Sequence, residues 1–307
     1  MYRKHTRRAA KAAYAISLGV ALLIGLIACG GAGASPAAKP TVVVGTKNFT
    51  EAYVLGELYK QALQAKGYTV KYKQNIGSSE LIDTSFRSGK INFYPEYLGI
   101  LVANIAKLPA PKTAAATLAA ARKWEAANRK AVIYNLTPFS DSDSFGMLTS
   151  TARKLGVKSI ADMKKVKSFT YAGFPECKSR ITCLLGLKKF YGLKQAKFVS
   201  LGSISVYTLL DQRKTTAGDV FSTDPQLQGS KYTVLKDTKH IFGFQNVAPV
   251  VSKKLAAAGG SALAKAVNAV SAKLTLGAMQ AMNKAVGIDK QSPAKVAAAF
   301  LKANGLS

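Results

Sequence analysis

The segment Thr-Val-Val-Val-Gly-Thr-Lys-Asn-Phe-Thr-Glu, residues 41–51, decides the fold class of this protein. Its β-branched run, residues 41–44, ends at Gly45 and is typical of a buried strand in a parallel sheet. After a short loop, Thr50 is predicted to cap a helix, because a threonine side chain accepts hydrogen bonds from the first helical N–H groups. Apolar residues then recur on one helical face until Gly67, a residue type that often follows a helix. The segment therefore predicts a strand–loop–helix unit.

Strand and helix patterns continue to alternate outward from this unit. A strand at residues 69–75, a helix at 79–87 and a strand at 91–94 complete a β-α-β-α-β order, which predicts an α/β fold with a mainly parallel sheet. Further strands are predicted at residues 145–149, 170–172, 199–202, 220–222 and 247–251. Further helices are predicted at residues 111–132, 181–191, 262–286 and 293–303. The length and the pattern fit two α/β lobes between which the chain crosses twice.

The N-terminus has the features of an export signal. A basic region without acidic residues precedes an apolar run at residues 15–28, which has signal-peptide length and is marginal for a membrane span. We predict a lipoprotein signal peptide over residues 1–28, a lipidated Cys29 and a flexible tether over residues 29–40, which are mostly small residues, Pro and Ser. The protein is then extracytoplasmic and anchored to the cell membrane. The alternative is an uncleaved anchor helix with an incidental cysteine.

The charge of the chain is strongly positive. It has 44 Lys and Arg residues against 15 Asp and Glu residues, for a formal net charge of +29. The lysines are scattered along the whole chain, without the dense basic run or interleaved aromatic residues of a nucleic-acid-binding surface. We therefore expect no nucleic acid as partner, and interpret the charge as a solvated cationic surface near anionic lipid.

Two cysteines remain once Cys29 is assigned to the lipid. Cys177 and Cys183 are an even pair in an oxidising compartment, which favours a disulfide over two free thiols. No histidine lies near them, so we expect no metal site.

Catalysis is not expected from this sequence. The two histidines, His5 and His240, have no paired carboxylates and no nucleophile motif around them. The glycine pairs at 30–31 and 259–260 do not follow a strand and open a helix at the spacing of phosphate-binding loops. We therefore expect a binding protein with no catalytic residue, no cofactor and no metal.

Several short segments carry a resemblance to a known family. They are Gly-Thr-Lys-Asn-Phe-Thr-Glu at residues 45–51, Gly-Glu-Leu-Tyr at 56–59 and Tyr-Pro-Glu-Tyr at 94–97, followed in the family's order by residues 136–138, 175–180, 221–224 and 248–251. With them the chain resembles the quaternary-ammonium-binding proteins of osmoprotectant ABC importers, which bind glycine betaine, choline or carnitine. The resemblance covers nearly all of residues 41–305.

This resemblance implies a fold and a partner. The fold is the two-lobed periplasmic-binding-protein fold, type II, which closes at a hinge over a ligand in the interlobe cleft. Residues 41–140 with 246–307 are expected to form the first lobe, and residues 141–245 the second. The protein is expected to be a monomer that delivers a small solute to an ABC permease. The same fold binding a different cationic or zwitterionic solute, and a role in sensing or scavenging, stay open.

The resemblance also assigns two basic residues to a ligand carboxylate. Lys47 matches a carboxylate-binding lysine of the family, and its place before a helix N-terminus favours an anion there. Arg180 matches the arginine that binds the carboxylate from the other lobe. It lies midway between Cys177 and Cys183, so a disulfide would stiffen its loop. The alternative for each is a solvated cationic side chain.

The aromatic cage implied by the family is thinned in this chain. Tyr97 matches a cage tyrosine, while Phe145 and Phe221 fall where the family has two others. Gln245 falls near the fourth cage position, and Ile100 where a ligand-contacting threonine is common. Core packing is the alternative for each aromatic residue. Fewer aromatic faces and an added amide indicate a ligand with hydrogen-bond donors, or weaker affinity for a trimethylammonium group.

Polar residues beside the cage are also candidates for ligand contact. Asp143 is predicted to pair with a cation, and Thr223, in the Phe-Ser-Thr-Asp segment, is a further ligand-binding candidate. Asp224 is an acidic neighbour of the same kind. The alternative for both aspartates is a helix cap or a loop-stabilising role.

Overall fold

The computed structural model describes residues 39–307. The predicted signal peptide, Cys29 and nearly all of the predicted tether lie outside the described residues. Within residues 39–307, no helix has the length and apolar character needed to cross a membrane.

The described part of the chain contains ten strands and ten α-helices. The strands are β1 Val42–Lys47, β2 Val70–Gly77, β3 Phe93–Tyr97, β4 Ala131–Ile133, β5 Asp143–Leu148, β6 Phe169–Gly173, β7 Ala196–Ser200, β8 Ala217–Phe221, β9 Tyr232–Val234 and β10 Val247–Ser252. The helices are α1 Thr50–Ala65, α2 Ser79–Arg87, α3 Leu98–Ile100, α4 Ala114–Asn128, α5 Thr149–Leu155, α6 Leu184–Phe190, α7 Val206–Asp211, α8 Lys253–Lys273, α9 Leu276–Gly287 and α10 Pro293–Ala303. A π-helical turn, Leu101–Ile105, continues α3, and short 3₁₀ helices occupy Ile160–Lys165, Pro175–Lys178 and Pro225–Gln228.

The strands form two five-stranded sheets, and each sheet with its helices is one lobe. The first sheet has the order β2-β1-β3-β10-β4 and the second β7-β6-β8-β5-β9. In each sheet four strands run in one direction, as expected for a mainly parallel sheet, and one strand, β10 or β5, runs against them, so half of the strand pairings are antiparallel. These are the strands that directly follow the crossings between lobes. A strand that follows a crossing begins at the edge of the sheet that borders the cleft. It therefore runs away from the cleft.

The two crossings lie side by side and form the hinge. Asp141 N donates to Gln245 O at 3.1 Å, and Ser140 and Asn246 form an isolated antiparallel bridge. Ser140 Oγ accepts from Gln245 N at 3.1 Å. Two short paired segments of this kind allow the lobes to rotate about them, as in other hinged binding proteins.

Helices cover both faces of each sheet. In the first lobe, Leu55 and Leu58 of α1 pack with Val42, Val44 and the C-terminal helices α8 to α10, while α2 and α4 cover the other face. The C-terminal helices therefore belong to the first lobe, although they follow the second in sequence. This packing holds the end of β1 and the start of α1 rigidly at the cleft.

Several predicted elements agree with the structure and others need correction. The helices predicted at 79–87 and 293–303 are confirmed as Ser79–Arg87 and Pro293–Ala303. The helix predicted at 111–132 ends at Asn128, because residues after Lys130, with its φ of +52°, leave the helix and pair with β10 as β4.

Two further corrections concern helix caps. The helix predicted at 262–286 is two helices, because Thr275 Oγ1 accepts from Ala278 N at 3.2 Å and begins α9 anew. Thr50 is the first residue of α1, and Phe49 occupies the cap position without a side-chain hydrogen bond. Phe49 is thereby left at the cleft edge, where it becomes part of the site.

Candidate ligand-binding site

A cavity between the lobes gathers most of the predicted site residues. We call it the inner chamber; its lining residues are Lys47, Asn48, Phe49, Ser78, Ser79, Tyr97, Ile100, Asp141, Asp143, Phe174, Glu176, Arg180 and Phe221. Each lobe contributes a cation and aromatic rings, and the second lobe also contributes carboxyl groups. Five of the eight predicted ligand-binding residues line it: Lys47, Tyr97, Asp143, Arg180 and Phe221.

Lys47 ends β1 and is buried, with 6% of its surface exposed. Its Nζ forms an ion pair with Glu96 and lies 4.3 Å from the centroid of the Tyr97 ring. Burial lowers the pKa of Lys47, while the charge of Glu96 opposes that change. A buried ammonium is stable only when it is paired, and Glu96 supplies the opposite charge.

Arg180 joins the two lobes. Its Nε donates to Glu80 Oε1 at 3.1 Å and its Nη2 to Glu80 Oε2 at 2.9 Å, a bidentate pair between the second lobe and helix α2 of the first. Burial opposes ionisation of Glu80, but the hydrogen bonds and charge of Arg180 outweigh it and lower the pKa of Glu80 to about 2. Arg180 is therefore oriented into the chamber by a carboxylate of the opposite lobe.

The loop that presents Arg180 is held at several points. Cys177 and Cys183 form a disulfide across it, as predicted from the cysteine pair. On the far side, Asn104 of the first lobe accepts from Ile181 N at 3.1 Å and donates to Thr182 Oγ1 at 3.0 Å. These contacts bring the lobes together over the inner chamber, so the structure is a closed form.

Aromatic rings form one wall of the inner chamber. Phe49 and Phe221 come from opposite lobes and stack with centroids 6.1 Å apart and planes 6° from parallel. Phe49 also lies 5.8 Å from the Tyr97 ring, whose hydroxyl donates to Glu51 Oε1 at 2.8 Å. Phe174 completes this wall. Of the two tyrosines of β3, Tyr97 faces the cleft.

Asp143 is the acidic counterpart of the two cations. It begins β5 and is buried in the chamber wall. Burial raises the pKa of Asp143 to about 6, and the charges of Arg180 and Lys47 oppose that rise. At neutral pH the carboxyl is ionised, so the chamber offers both signs of charge to a zwitterion.

Phe145 is not a cage residue. It lies on the same face of β5 as Asp143 but two residues farther from the cleft, because strand side chains repeat every second position. It is fully buried in the core of the second lobe, 5.0 Å from Tyr171 and 6.0 Å from Phe169. Phe145 therefore does not line the inner chamber, contrary to the prediction that it contacts the ligand.

Gln245 is not a cage residue either. Its Oε1 accepts from Ile100 N at 3.0 Å and its Nε2 donates to Phe242 O at 2.8 Å. Both ends of the amide are therefore hydrogen-bonded to backbone groups. It also packs against Gly99, where an added Cβ would lie 2.5 Å from Gln245 Nε2. Gln245, the residue near the family's fourth cage position, therefore belongs to the hinge.

Other candidates lie beside the chamber. Ile100 lines it, while Tyr94 is buried in the first lobe's core with its ring 5.2 Å from that of Phe86. Thr223 lies outside it, and its Oγ1 donates to Asp141 Oδ1 at 2.6 Å. Asp224 accepts from Phe221 N at 2.8 Å, which is the loop-stabilising alternative.

The predicted ligand-binding residues did not include the two counter-ions or two of the aromatic residues, Phe49 and Phe174. Glu96, the partner of Lys47, lies within the quoted Tyr-Pro-Glu-Tyr segment, whereas Glu80, the partner of Arg180, lies on α2 outside every quoted segment. Phe174 lies directly before the family segment 175–180 and outside it. Phe49 had a signal, because it lies within the quoted segment beside Lys47.

One residue group has metal-ligating atom types in close proximity. Within residues 39–307, this group consists of Cys177, Cys183 and Asp219. Both sulfurs are bonded to each other in the disulfide, so neither is a thiolate ligand. The group does not fit a metal ion.

Comparison with known proteins identifies the family. The OpuAC family model, described as the substrate-binding domain of the ABC-type glycine betaine transport system, matches residues 40–303. The chain belongs to this family. It is 30% identical over 293 residues to the glycine-betaine-binding protein of Pseudomonas aeruginosa, covering 91% of this chain and 93% of that protein.

Two other comparisons differ in what they cover. The chain is 28% identical to the ergothioneine transport permease/ergothioneine binding protein EgtU of Helicobacter pylori, over 87% of this chain and 48% of that protein. The crystal structure of a glycine betaine/carnitine/choline ABC transporter superposes with a TM-score of 0.69 at 20% identity, covering 86% of this chain and 99% of that one. At this identity the likeness shows the fold.

Family and fold together confirm the main predictions. The protein is a substrate-binding protein of a betaine-, choline- or carnitine-type ABC transport system and not an enzyme, and it has the two-lobed binding-protein fold with an interlobe cleft. Substrate-binding proteins of ABC importers are extracytoplasmic.

Proposed function

We propose that the protein binds an osmoprotectant such as glycine betaine, choline or carnitine in the inner chamber and delivers it to an ABC permease. The observation that carries this proposal is the position of Lys47 and Arg180, one cation from each lobe, beside the stacked rings of Phe49 and Phe221. A zwitterion with a quaternary ammonium group needs both features, carboxylate partners and aromatic faces. The protein is expected to act as a monomer.

Ligand capture and closure are coupled in this proposal. In an open cleft the carboxylate of the ligand contacts Lys47 on one lobe, and Arg180 reaches it when the lobes close. Glu80 and Glu96 already neutralise these cations in the closed form, so the ligand carboxylate competes with Glu80 for the guanidinium. A ligand bound to both lobes stabilises the closed state by its difference in affinity for the two states.

Calorimetric titration of the purified full chain, stripped of bound ligand, tests this function. The panel is glycine betaine, choline, carnitine, proline betaine and ectoine, with arginine as a cationic amino acid. Micromolar or tighter binding of a quaternary ammonium compound supports the proposal. Binding of arginine alone moves the ligand to the alternative class of amino-acid-like solutes. Loss of solute uptake on deleting the partner permease distinguishes import from sensing or scavenging.

Choline binding is expected to weaken about tenfold between pH 7.5 and pH 5. The pKa of Asp143 is about 6, so its carboxylate is ionised at the higher pH and protonated at the lower one. Choline keeps its charge throughout, and losing one nearby carboxylate is worth on the order of 1 kcal/mol. Titrations at both pH values measure this. Asp143→Asn should bind weakly at both, and a variant that keeps the pH dependence would contradict the role of Asp143.

We also propose that Cys29 carries the lipid anchor, with residues 1–28 removed as a signal peptide. The apolar run that ends in Ala-Cys supports this. Expression in a bacterial host with a labelled fatty acid should label the wild-type protein and not Cys29→Ser. The variant should also leave the membrane fraction. A labelled variant would contradict the lipidation of Cys29.

A further inference from the structure

A second interlobe cavity lies beside the hinge, and we call it the hinge groove. It has a volume of about 1030 Å³ and adjoins the inner chamber at Asp143, which lines both. The loop 237–244 that forms part of its wall leads directly into the crossing at Gln245. The first lobe contributes residues within 103–112, and the second contributes residues within 142–144, 181–190 and 237–244.

The floor of the hinge groove is apolar. Leu108 from the first lobe and Phe190 and Phe244 from the second line it, and each keeps between 38% and 42% of its surface exposed. Ile241 and Phe242, which also line it, are buried in the core of the second lobe. Large apolar side chains left exposed within one concave surface are typical of a ligand-binding groove, because an apolar occupant gains free energy by covering them.

The charged groups around this floor are mainly cationic. Four exposed lysines line the groove: Lys107, Lys112, Lys189 and Lys239. None of them belongs to an ion pair in the described part of the chain. Lys239 Nζ donates to Phe190 O at 2.6 Å, and Lys189 Nζ lies 5.6 Å from the centroid of the Phe190 ring. Two of the ammonium groups are therefore next to an exposed ring of the floor.

The two carboxyl groups of the hinge groove have other partners. Asp237 accepts from the hydroxyl of Tyr191 and from two backbone N–H groups of its own loop. Asp143 lies where the groove meets the inner chamber, within the fields of Arg180 and Lys47. The groove thus combines an apolar floor with unpaired cations, and the complementary occupant is an anion that carries an apolar chain.

We propose that the hinge groove is a second binding site, for free fatty carboxylates of medium chain length. The alkyl chain covers Leu108, Phe190 and Phe244, and the carboxylate contacts the lysines. The shape favours a free carboxylate over a membrane lipid, because a bilayer surface is too flat to reach a floor enclosed between two lobes. The site goes beyond osmoprotectant binding and does not depend on it.

Octyl compounds with different head groups test this site by titration calorimetry of the purified full chain. Octanoate, octylammonium and octyl glucoside share the chain and differ in charge, and each is used below its micelle-forming concentration. We expect octanoate to bind about tenfold or more tightly than the other two, as contacts with two or more lysines allow. Hexanoate buries two CH₂ groups fewer and should bind about tenfold more weakly than octanoate. Equal binding within either comparison would contradict the proposal.

The double variant Lys107→Gln/Lys189→Gln removes one groove lysine from each lobe and should weaken octanoate binding about tenfold. Lys71→Gln/Lys197→Gln is the matched control, because it removes the same charge from exposed lysines of β2 and β7 that line neither the groove nor the inner chamber. Screening by salt should keep its effect below about twofold. Equal losses in the two variants would mean that octanoate responds only to the net charge of the protein, which overturns the inference.

Two further outcomes would assign octanoate or the groove differently. Arg180→Ala should weaken octanoate binding by no more than about fivefold, through the Arg180–Glu80 contribution to closure. A larger loss would place the octanoate carboxylate in the inner chamber and overturn the inference. Absence of octanoate binding, with pelleting on anionic phospholipid vesicles that Lys107→Gln/Lys189→Gln reduces more than the control does, would assign the groove to a membrane. Osmoprotectant binding is titrated separately, so the failure of either proposal leaves the other standing.

Discussion

Arg180→Ala is expected to weaken glycine betaine binding about 100-fold and choline binding only about fivefold. A guanidinium binds a carboxylate through two parallel hydrogen bonds, and removing one partner of a buried charge pair costs about 2–5 kcal/mol. Choline has no carboxylate, so it loses only the contribution of the Arg180–Glu80 pair to closure. Titration calorimetry of both ligands with wild type and variant measures the ratio. Equal losses for the two ligands would contradict a carboxylate-binding role for Arg180.

Glu80→Gln is the matched control, because it removes the interlobe ion pair and keeps the guanidinium. With a pKa of about 2, Glu80 is ionised under all conditions of such a titration and competes with the ligand carboxylate. The variant should therefore bind glycine betaine at least as tightly as wild type. A loss as large as that of Arg180→Ala would mean that the ion pair itself, and not a contact with ligand, determines affinity.

Glu125→Gln is expected to become more stable relative to wild type as pH rises, by on the order of 3 kcal/mol between pH 4.5 and pH 8. Glu125 on α4 is fully buried and neither of its carboxyl oxygens has a hydrogen-bond partner in the described part of the chain. Burial raises the pKa of Glu125 from 4.5 to about 8, and the nearby charge of Asp83 adds to the rise.

The sign follows from proton binding. Between pH 4.5 and pH 8 the unfolded chain has lost the Glu125 proton while the folded chain retains it, so folding becomes less favourable as pH rises. Glutamine does not titrate and escapes this loss. Urea unfolding of both proteins at pH 4.5 and pH 8 measures the difference.

A surface acid serves as the control for this experiment. Asp289→Asn removes an exposed ion pair with Lys284 and should change the free energy of unfolding by less than about 1 kcal/mol at either pH. The same difference between Glu125→Gln and wild type at pH 4.5 and pH 8 would contradict an elevated pKa for Glu125.

Local patterns predicted most of the secondary structure. The strand–loop–helix unit at the start of the described chain and the helices Ser79–Arg87 and Pro293–Ala303 follow from residue periodicity and capping, which act within a few residues. β4 was missed because its three residues are a strand only through pairing with β10, more than 100 residues later. Such pairing overrides a helical pattern that continues past Asn128.

The candidate site was predictable to a similar extent. Lys47, Tyr97 and Arg180 were found because their segments resemble a family motif, and they line one chamber. Phe145 was assigned wrongly, because a family match gives a position along a strand and not its depth below the cleft. Gln245 was assigned wrongly because its amide is hydrogen-bonded to the backbone of Ile100, which is remote in sequence, and to that of Phe242 in its own turn.

The sequence by itself determined the α/β class, the two-lobed family fold and the main cationic and aromatic side chains of the cleft, since these depend on local periodicity and short motifs. Only the tertiary structure decided which acids pair with Lys47 and Arg180, and that Phe49 and Phe221 stack across the lobes. The physical reason is that ion pairing, stacking and burial depend on distances between segments remote in sequence, which no local pattern encodes.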